Sequence, residues 1–214
     1  PLTALFVGSV VASRGHFPLW ESIFAGISLL VLFLGGCVLD DIGDKEIDRR
    51  FHPNYPLVTD DEGAKVSEKA AWILSFLLHA IGLSFAFVVL GLQFFFVMLF
   101  YPLLAFLYSI KPRITDWGLL GNITFISFSV SLPFLAGAII VNGISVSIIT
   151  TSIILLIIGT GLDLAKDFAK YYEDKETGRV SIFELLGVAK GKNLIAISAF
   201  LPYMLSPLLL VLLK

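Results

Sequence analysis

Apolar residues run through this chain in long blocks, and the polar residues between them are gathered into a few stretches. Seven apolar blocks stand out, at roughly 1–13, 22–39, 69–89, 92–110, 119–141, 146–165 and 193–213. A helix crosses the hydrocarbon of a bilayer with about 20 mostly apolar residues. All but the first block are long enough, and the first reads as the end of a helix that begins upstream. Pro133 and the glycines inside blocks are tolerable in lipid, where neighbouring helices satisfy the freed backbone groups. The pattern predicts an all-α, polytopic transmembrane bundle of about seven helices, forming a single domain over 1–214.

Composition agrees with that reading. Only 15% of the 214 residues are charged and 57% are hydrophobic, where a soluble domain carries about 25% charged residues. The single cysteine, Cys37, lies inside an apolar block and is expected to be a buried, inert thiol. It leaves no disulfide framework and no cysteine-rich metal site. A net charge of −2, with no basic stripe and interleaved aromatics, excludes a nucleic-acid partner. No Gly-rich nucleotide loop, Ser/His/Asp set or HExxH motif occurs. The run "LQFFFVMLF" (92–100) reads as a lipid-facing or packing surface, with a cradle for an apolar tail as the alternative.

The polar stretches orient the bundle. If every block spans, thirteen Lys and Arg fall on one side, twelve in loops 40–68, 111–118 and 166–192 and Lys69 just beside the first of them, and only Arg14 and Lys214 on the other. That bias places the charged side in the cytoplasm of a cell-membrane protein. Sixteen of the seventeen Asp and Glu lie there too, leaving Glu21 alone opposite. A lipid-binding patch would be basic without the acids.

Two acidic stretches carry the chemistry. "LDDIGDKEIDRR" (39–50) follows an apolar block directly, and its Asp40, Asp44 and Asp48 fall one turn apart on a helical face. Like charges at that spacing repel, and the C-terminal end of a helix disfavours anions. A hard divalent cation such as Mg²⁺ answers both difficulties, since it takes carboxylate oxygens and shares its shell with substrate phosphates. In "DLAKDFAKYYEDKETGR" (163–179), Asp163, Asp167 and Asp174 repeat the pattern at spacings of four and seven, again predicting a shared face. Lys45, Arg49, Lys166 and Lys170 are interleaved with these acids and suit a diphosphate.

The same residues resemble a known family. "DDIGDKEIDRRFHPNYPL" is similar to the first signature of UbiA-type membrane prenyltransferases, [ND]DxxDxxxD followed by a Pro-rich turn. "DLAKDFAKYYEDKETGRVS" resembles their second, and "YSIKPRITDWGLLGN" (108–122) the Tyr-Ser…Lys stretch between helices four and five. The resemblance covers nearly the whole chain in the expected order. It implies a Mg²⁺-dependent enzyme that moves an isoprenyl group from an isoprenyl diphosphate, such as geranylgeranyl diphosphate, to a membrane acceptor. It further implies nine helices, two of which this chain lacks. Metal falls to Asp40, Asp44, Asp48, Asp167 and Asp174, and the diphosphate to Lys45, Arg49, Lys111, Arg113, Lys166 and Lys170. Catalysis is expected to turn on Asp44, Asp174 and Lys170.

Two departures from the family pattern stand out. Lys170 occupies the position of the first Asp of the second DxxxD, so Asp167 is expected to supply the missing ligand. His52 and Tyr55 stand where the Pro-rich turn is usually basic, and His52 reads as a loop residue. "GLLGNITFISFSVSLPFLAGAII" (118–140) is similar to archaeal members that make digeranylgeranylglyceryl phosphate, implying a lipid-precursor acceptor; a quinone ring or chlorophyllide stays open. Asn122 reads equally as a helix start or a polar contact between helices. Two other classes compete: a catalytically degenerate homologue kept as a binding partner, and a divalent-cation transporter.

Overall fold

The computed structural model describes residues 1–14, 16–51, 55–57, 66–141, 143–177 and 181–212, without the side chains at 173–174, 177, 199, 202–203 and 205–212. Every described element is helical. Helix α1 spans Leu2–Ala12 and α2 Leu19–Phe51. At 1.5 Å per residue, the 33 residues of α2 measure about 50 Å, longer than a bilayer core of about 30 Å. The surplus is the acidic stretch, which continues the same helix beyond its apolar part.

Helix α3, Glu68–Ser109, is started by Ser67, whose hydroxyl accepts from the Ala70 N–H at 3.2 Å. Its 42 residues are not one rod. Gly91 has φ 83° and ψ −179°, a conformation open only to glycine, and the chain reverses there. Before Gly91 the contacts with α2 run antiparallel. Lys45 meets Glu68, Ser75 Oγ donates to the Gly35 carbonyl, and Ser28 Oγ donates to the Gly82 carbonyl. After Gly91 they run parallel: Gly36 lies against Tyr101 and Ala105, and Gly43 against Ser109. The two arms of α3 therefore correspond to the two blocks expected at 69–89 and 92–110.

A 3₁₀ turn, Ile114–Asp116, leads into α4, Leu119–Ile140, which is interrupted by a π turn at Ser127–Ser131 just before Pro133. Pro133 has no N–H to donate back, and the local hydrogen bonding is supplemented from a neighbour. Ser131 Oγ donates to the Ser152 carbonyl and Ser152 Oγ to the Ser131 carbonyl, at 3.3 and 3.4 Å. Helix α5 is Val146–Ala169, with Ser145 as its N-cap. Short helices α6 (Tyr171–Thr177) and α7 (Ile182–Leu186) precede α8, Val188–Leu212.

Four of these helices are long and apolar enough to cross a membrane, and α3, reversed at Gly91, has two apolar arms. The protein is an integral membrane protein. Small residues bring the helices together, as is usual in lipid: Gly8 and Gly137 seat α1 and α4 so closely that neither position has room for a methyl group. The core holds Leu29, Leu32, Phe94, Met98 and Tyr101. This alternation of directions gathers the ends of α2, α3 and α5 and the starts of α3 and α4 at one end of the bundle.

Candidate active site

Because α2 stays helical to Phe51, Asp40, Asp44 and Asp48 do lie one turn apart. Asp40 Oδ1 accepts from Ser109 Oγ at 3.2 Å. Asp44 is paired with Arg113, whose Nη1 lies 2.5 Å from Asp44 Oδ1 and donates to the Gly43 carbonyl at 2.8 Å. Arg113 Nε donates to Asp116 Oδ2 at 2.6 Å. Asp48 is buried. A counter-charge for this stretch thus comes from the turn after α3. Arg113 is only 6% exposed and spends Nε and Nη1 on protein partners, so its placement is that of a clamp on the acidic helix. Lys45 bonds Glu68 at 3.1 Å and Arg49 bonds Glu46 at 3.4 Å, while Lys111 is exposed on the turn that holds Arg113.

The second stretch ends α5. Asp163 is buried and Asp167 half-buried. Asn122, buried near the start of α4, donates its Nδ2 to Oδ2 of both, at 2.8 and 2.5 Å. Lys166 Nζ lies 2.7 Å from Asp163 Oδ1, 3.8 Å from Asp167 Oδ1 and 5.1 Å from the centroid of the Phe125 ring. Phe125, under that ammonium, lines the same cleft as Asp40 of the first stretch. The two acidic stretches therefore meet the same cleft, one at its lining and one behind its Phe125 wall.

One expectation needs correcting. A single helical face through Asp163, Asp167 and Asp174 requires an unbroken helix, and α5 stops at Lys170. That residue takes φ −96° and ψ 7° and turns its N–H to the carbonyls of Asp167 and Phe168. Asp174 belongs to α6, after the break; its side chain, like all of His52, lies outside the described residues. Lys170 is exposed at the junction, as is Tyr55 beyond α2.

Beside the first stretch the cleft opens into the bundle. Asp40 and Ser109 stand at its polar end, and Phe33, Tyr101, Tyr108, Phe125 and Phe128 wall it. The four aromatics after Phe33 pack at 5.4–5.7 Å, mostly edge to face. Cys37 also lines the cleft and is exposed, which corrects the expectation of a buried thiol. The Phe-rich run contributes nothing to the cleft. Phe94 and Met98 enter the core and Phe96 and Phe100 point outward, as a packing and lipid-facing surface does.

Among the described residues no three carboxylate, histidine or cysteine side chains form a metal cage. The donor set still fits a Mg²⁺ ion, which is usually held by one or two carboxylates together with substrate phosphates and water. Asp163 and Asp167 converge on a single amide nitrogen, and Asp40 lines the cleft whose Phe125 wall lies under Lys166. Asp163 and Asn122 are each conspicuous in the sequence as polar residues at the edge of an apolar block. Their union across 41 positions has no local signature.

Comparison with known proteins places this arrangement. A curated digeranylgeranylglyceryl phosphate synthase from Methanococcus aeolicus is 29% identical over 202 residues, covering 92% of this chain and 67% of the relative. A solved structure of a digeranylgeranylglyceryl phosphate synthase superposes with a TM-score of 0.76 at 23% identity, over 99% of this chain and 72% of that one. A UbiA homologue from Archaeoglobus fulgidus, solved bound to GPP and Mg²⁺, gives the same score at 21% identity, over 99% and 80%. Residues 2–214 match the UbiA prenyltransferase family, and the chain belongs to that family.

Proposed function

We propose that this member transfers an isoprenyl group from an isoprenyl diphosphate, geranylgeranyl diphosphate first among them, to a lipid-precursor acceptor at the membrane, with Mg²⁺ as cofactor. The observation that carries the reading is the aromatic cleft with Asp40 at its polar end and Lys166, paired with Asp163, over its Phe125 wall. A substrate with a charged head and an apolar tail matches that division. The name of the M. aeolicus relative supports a glyceryl-phosphate acceptor, and the GPP and Mg²⁺ of the A. fulgidus homologue support donor and metal.

Asp40, Asp163 and Asp167 would hold the metal, with Asp44, Asp48 and Asp174 as further candidates. Bound Mg²⁺ would neutralise the diphosphate and make it a better leaving group. Lys111 and Lys170 would meet the charge that gathers on the departing oxygens, while Arg113 fixes Asp44. The ring faces of Tyr108, Phe125 and Phe128 suit an allylic cation, and the cleft's apolar walls keep water from it. A cation transporter would instead need carboxylates along the span; the described ones gather at the end of the bundle, apart from Glu21.

The test is binding and turnover in purified full chain. Asp40→Ala and Asp167→Ala should each abolish Mg²⁺-dependent binding of a geranylgeranyl diphosphate analogue while helicity by circular dichroism persists. Undiminished binding in both variants would refute the site. Analogue binding by wild type without alkylation of glyceryl-phosphate, quinone or chlorophyllide acceptors would favour the degenerate homologue.

A further inference from the structure

Asp163 and Asp167 put two like charges one turn apart at the C-terminal end of α5, with Asp163 buried. Both the spacing and the helix dipole disfavour this, and a buried anion needs a compensating charge. Asn122 supplies hydrogen bonds to Oδ2 of each carboxylate but no charge. A counter-charge comes from Lys166, set against Oδ1 of each.

We propose that Lys166 is a resident counter-ion, which holds Asp163 and Asp167 while no divalent cation is bound and turns its ammonium to the diphosphate once the cation takes them. This rests on the diphosphate reading above. A cation approaching Asp163 Oδ1 meets the ammonium already there, and two positive charges cannot share that oxygen cheaply. The exchange needs only side-chain rotation. Lys166 is 51% exposed and already lies over Phe125, a wall of the cleft. Asn122 stays on Oδ2 of both carboxylates, so the pair keeps its geometry when the lysine leaves. Lys166 thus discourages metal from occupying the site before substrate arrives.

The experiment counts bound Mn²⁺ by electron paramagnetic resonance in the purified full chain, first without any diphosphate. Lys166→Met should bind Mn²⁺ at least about tenfold more tightly than wild type, the order expected when a charge-assisted contact competing for the carboxylates is removed. Lys166→Arg, which keeps the charge, should stay close to wild type. A geranylgeranyl thiolodiphosphate analogue should reverse the order, Lys166→Met binding it about tenfold more weakly. Lys166→Gln repeats both measurements should the Met variant not fold. If wild type binds Mn²⁺ with the analogue but Lys166→Met and Lys166→Gln gain no Mn²⁺ affinity without it, the counter-ion proposal fails and the diphosphate reading stands. If wild type binds no Mn²⁺ even with the analogue, both fail.

Discussion

Asp44 and Arg113 lie 69 positions apart in sequence and are joined by an ion pair of 2.5 Å, which ties the first acidic helix to the turn between α3 and α4. Arg113 also holds Asp116 and the Gly43 carbonyl, so its loss leaves three acceptors without that donor. Removing one partner of a buried pair costs about 3–5 kcal/mol. Asp44 and Asp116 remain 21% and 34% exposed, so water recovers part of that. Arg113→Met is expected to destabilise the bundle by about 2–3 kcal/mol. The midpoint of thermal unfolding in detergent should fall by roughly 5–10 °C. Arg113→Lys should recover only part, since an ammonium lacks the planar fork. An unchanged midpoint in Arg113→Met would show that the clamp contributes nothing.

Gly91 offers a separate test, of the fold alone. Its φ of 83° is what lets the two arms of α3 reverse, and nothing stands within 4 Å of where a Cβ would sit. The effect of Gly91→Ala is therefore conformational strain and not a clash, about 1–3 kcal/mol. Gly91→Val should cost more, because a β-branched side chain is stiffer. Both should lower thermal stability without changing the Mg²⁺ concentration needed for half-maximal diphosphate binding. A variant as stable as wild type would mean that the reversal tolerates another backbone geometry.

Hydrophobic blocks are a local property, and they show in any window of about twenty residues. That is why the helices, the break near Gly91 and the turn-by-turn register of Asp40, Asp44 and Asp48 are legible in the sequence itself. The partners of those residues are not local. Asn122 reaches Asp163 and Asp167 across 41 and 45 positions, and Arg113 reaches Asp44 across 69. No periodicity encodes such pairings. The cleft is hidden for the same reason: its aromatics come from α2, α3 and α4, while the conspicuous Phe run faces the core and the outside. Lys170 misleads through its surroundings. Nothing next to it is Gly or Pro, yet α5 ends there, and a face drawn through Asp174 crosses the break.

Orientation can be tested with cysteines. The thirteen-to-two bias of basic residues predicts that the acidic end of the bundle faces the cytoplasm. In a Cys37→Ala background, Tyr55→Cys and Lys175→Cys lie at that end and Ile144→Cys at the opposite one, all at exposed positions. An impermeant maleimide should label Ile144→Cys in intact cells and the other two only after lysis. Labelling of Tyr55→Cys or Lys175→Cys from outside would reverse the orientation and cut the site off from cytosolic diphosphate.

Lys170 decides between an active enzyme and a degenerate one. Its side chain is exposed where α5 meets α6, one turn beyond Lys166, at a position where the family pattern has an aspartate. In an active site its ammonium replaces part of the missing metal charge by bonding a phosphate oxygen directly. Lys170→Ala should then weaken binding of the geranylgeranyl diphosphate analogue by about tenfold, the worth of one charge-assisted hydrogen bond. Lys170→Asp should restore a carboxylate and raise the number of Mg²⁺ ions bound per diphosphate. It also puts an anion at the end of α5, which the helix dipole opposes by about 0.5 kcal/mol, so a small loss of stability is expected with it. A degenerate protein behaves differently: neither substitution alters binding, and Lys170→Asp creates no turnover. The measurement is analogue affinity and prenyl transfer across a Mg²⁺ titration for wild type and both variants. Lys170→Ala binding as tightly as wild type would remove Lys170 from the diphosphate site, leaving Lys111 and Lys166 as the cations placed to meet the leaving group.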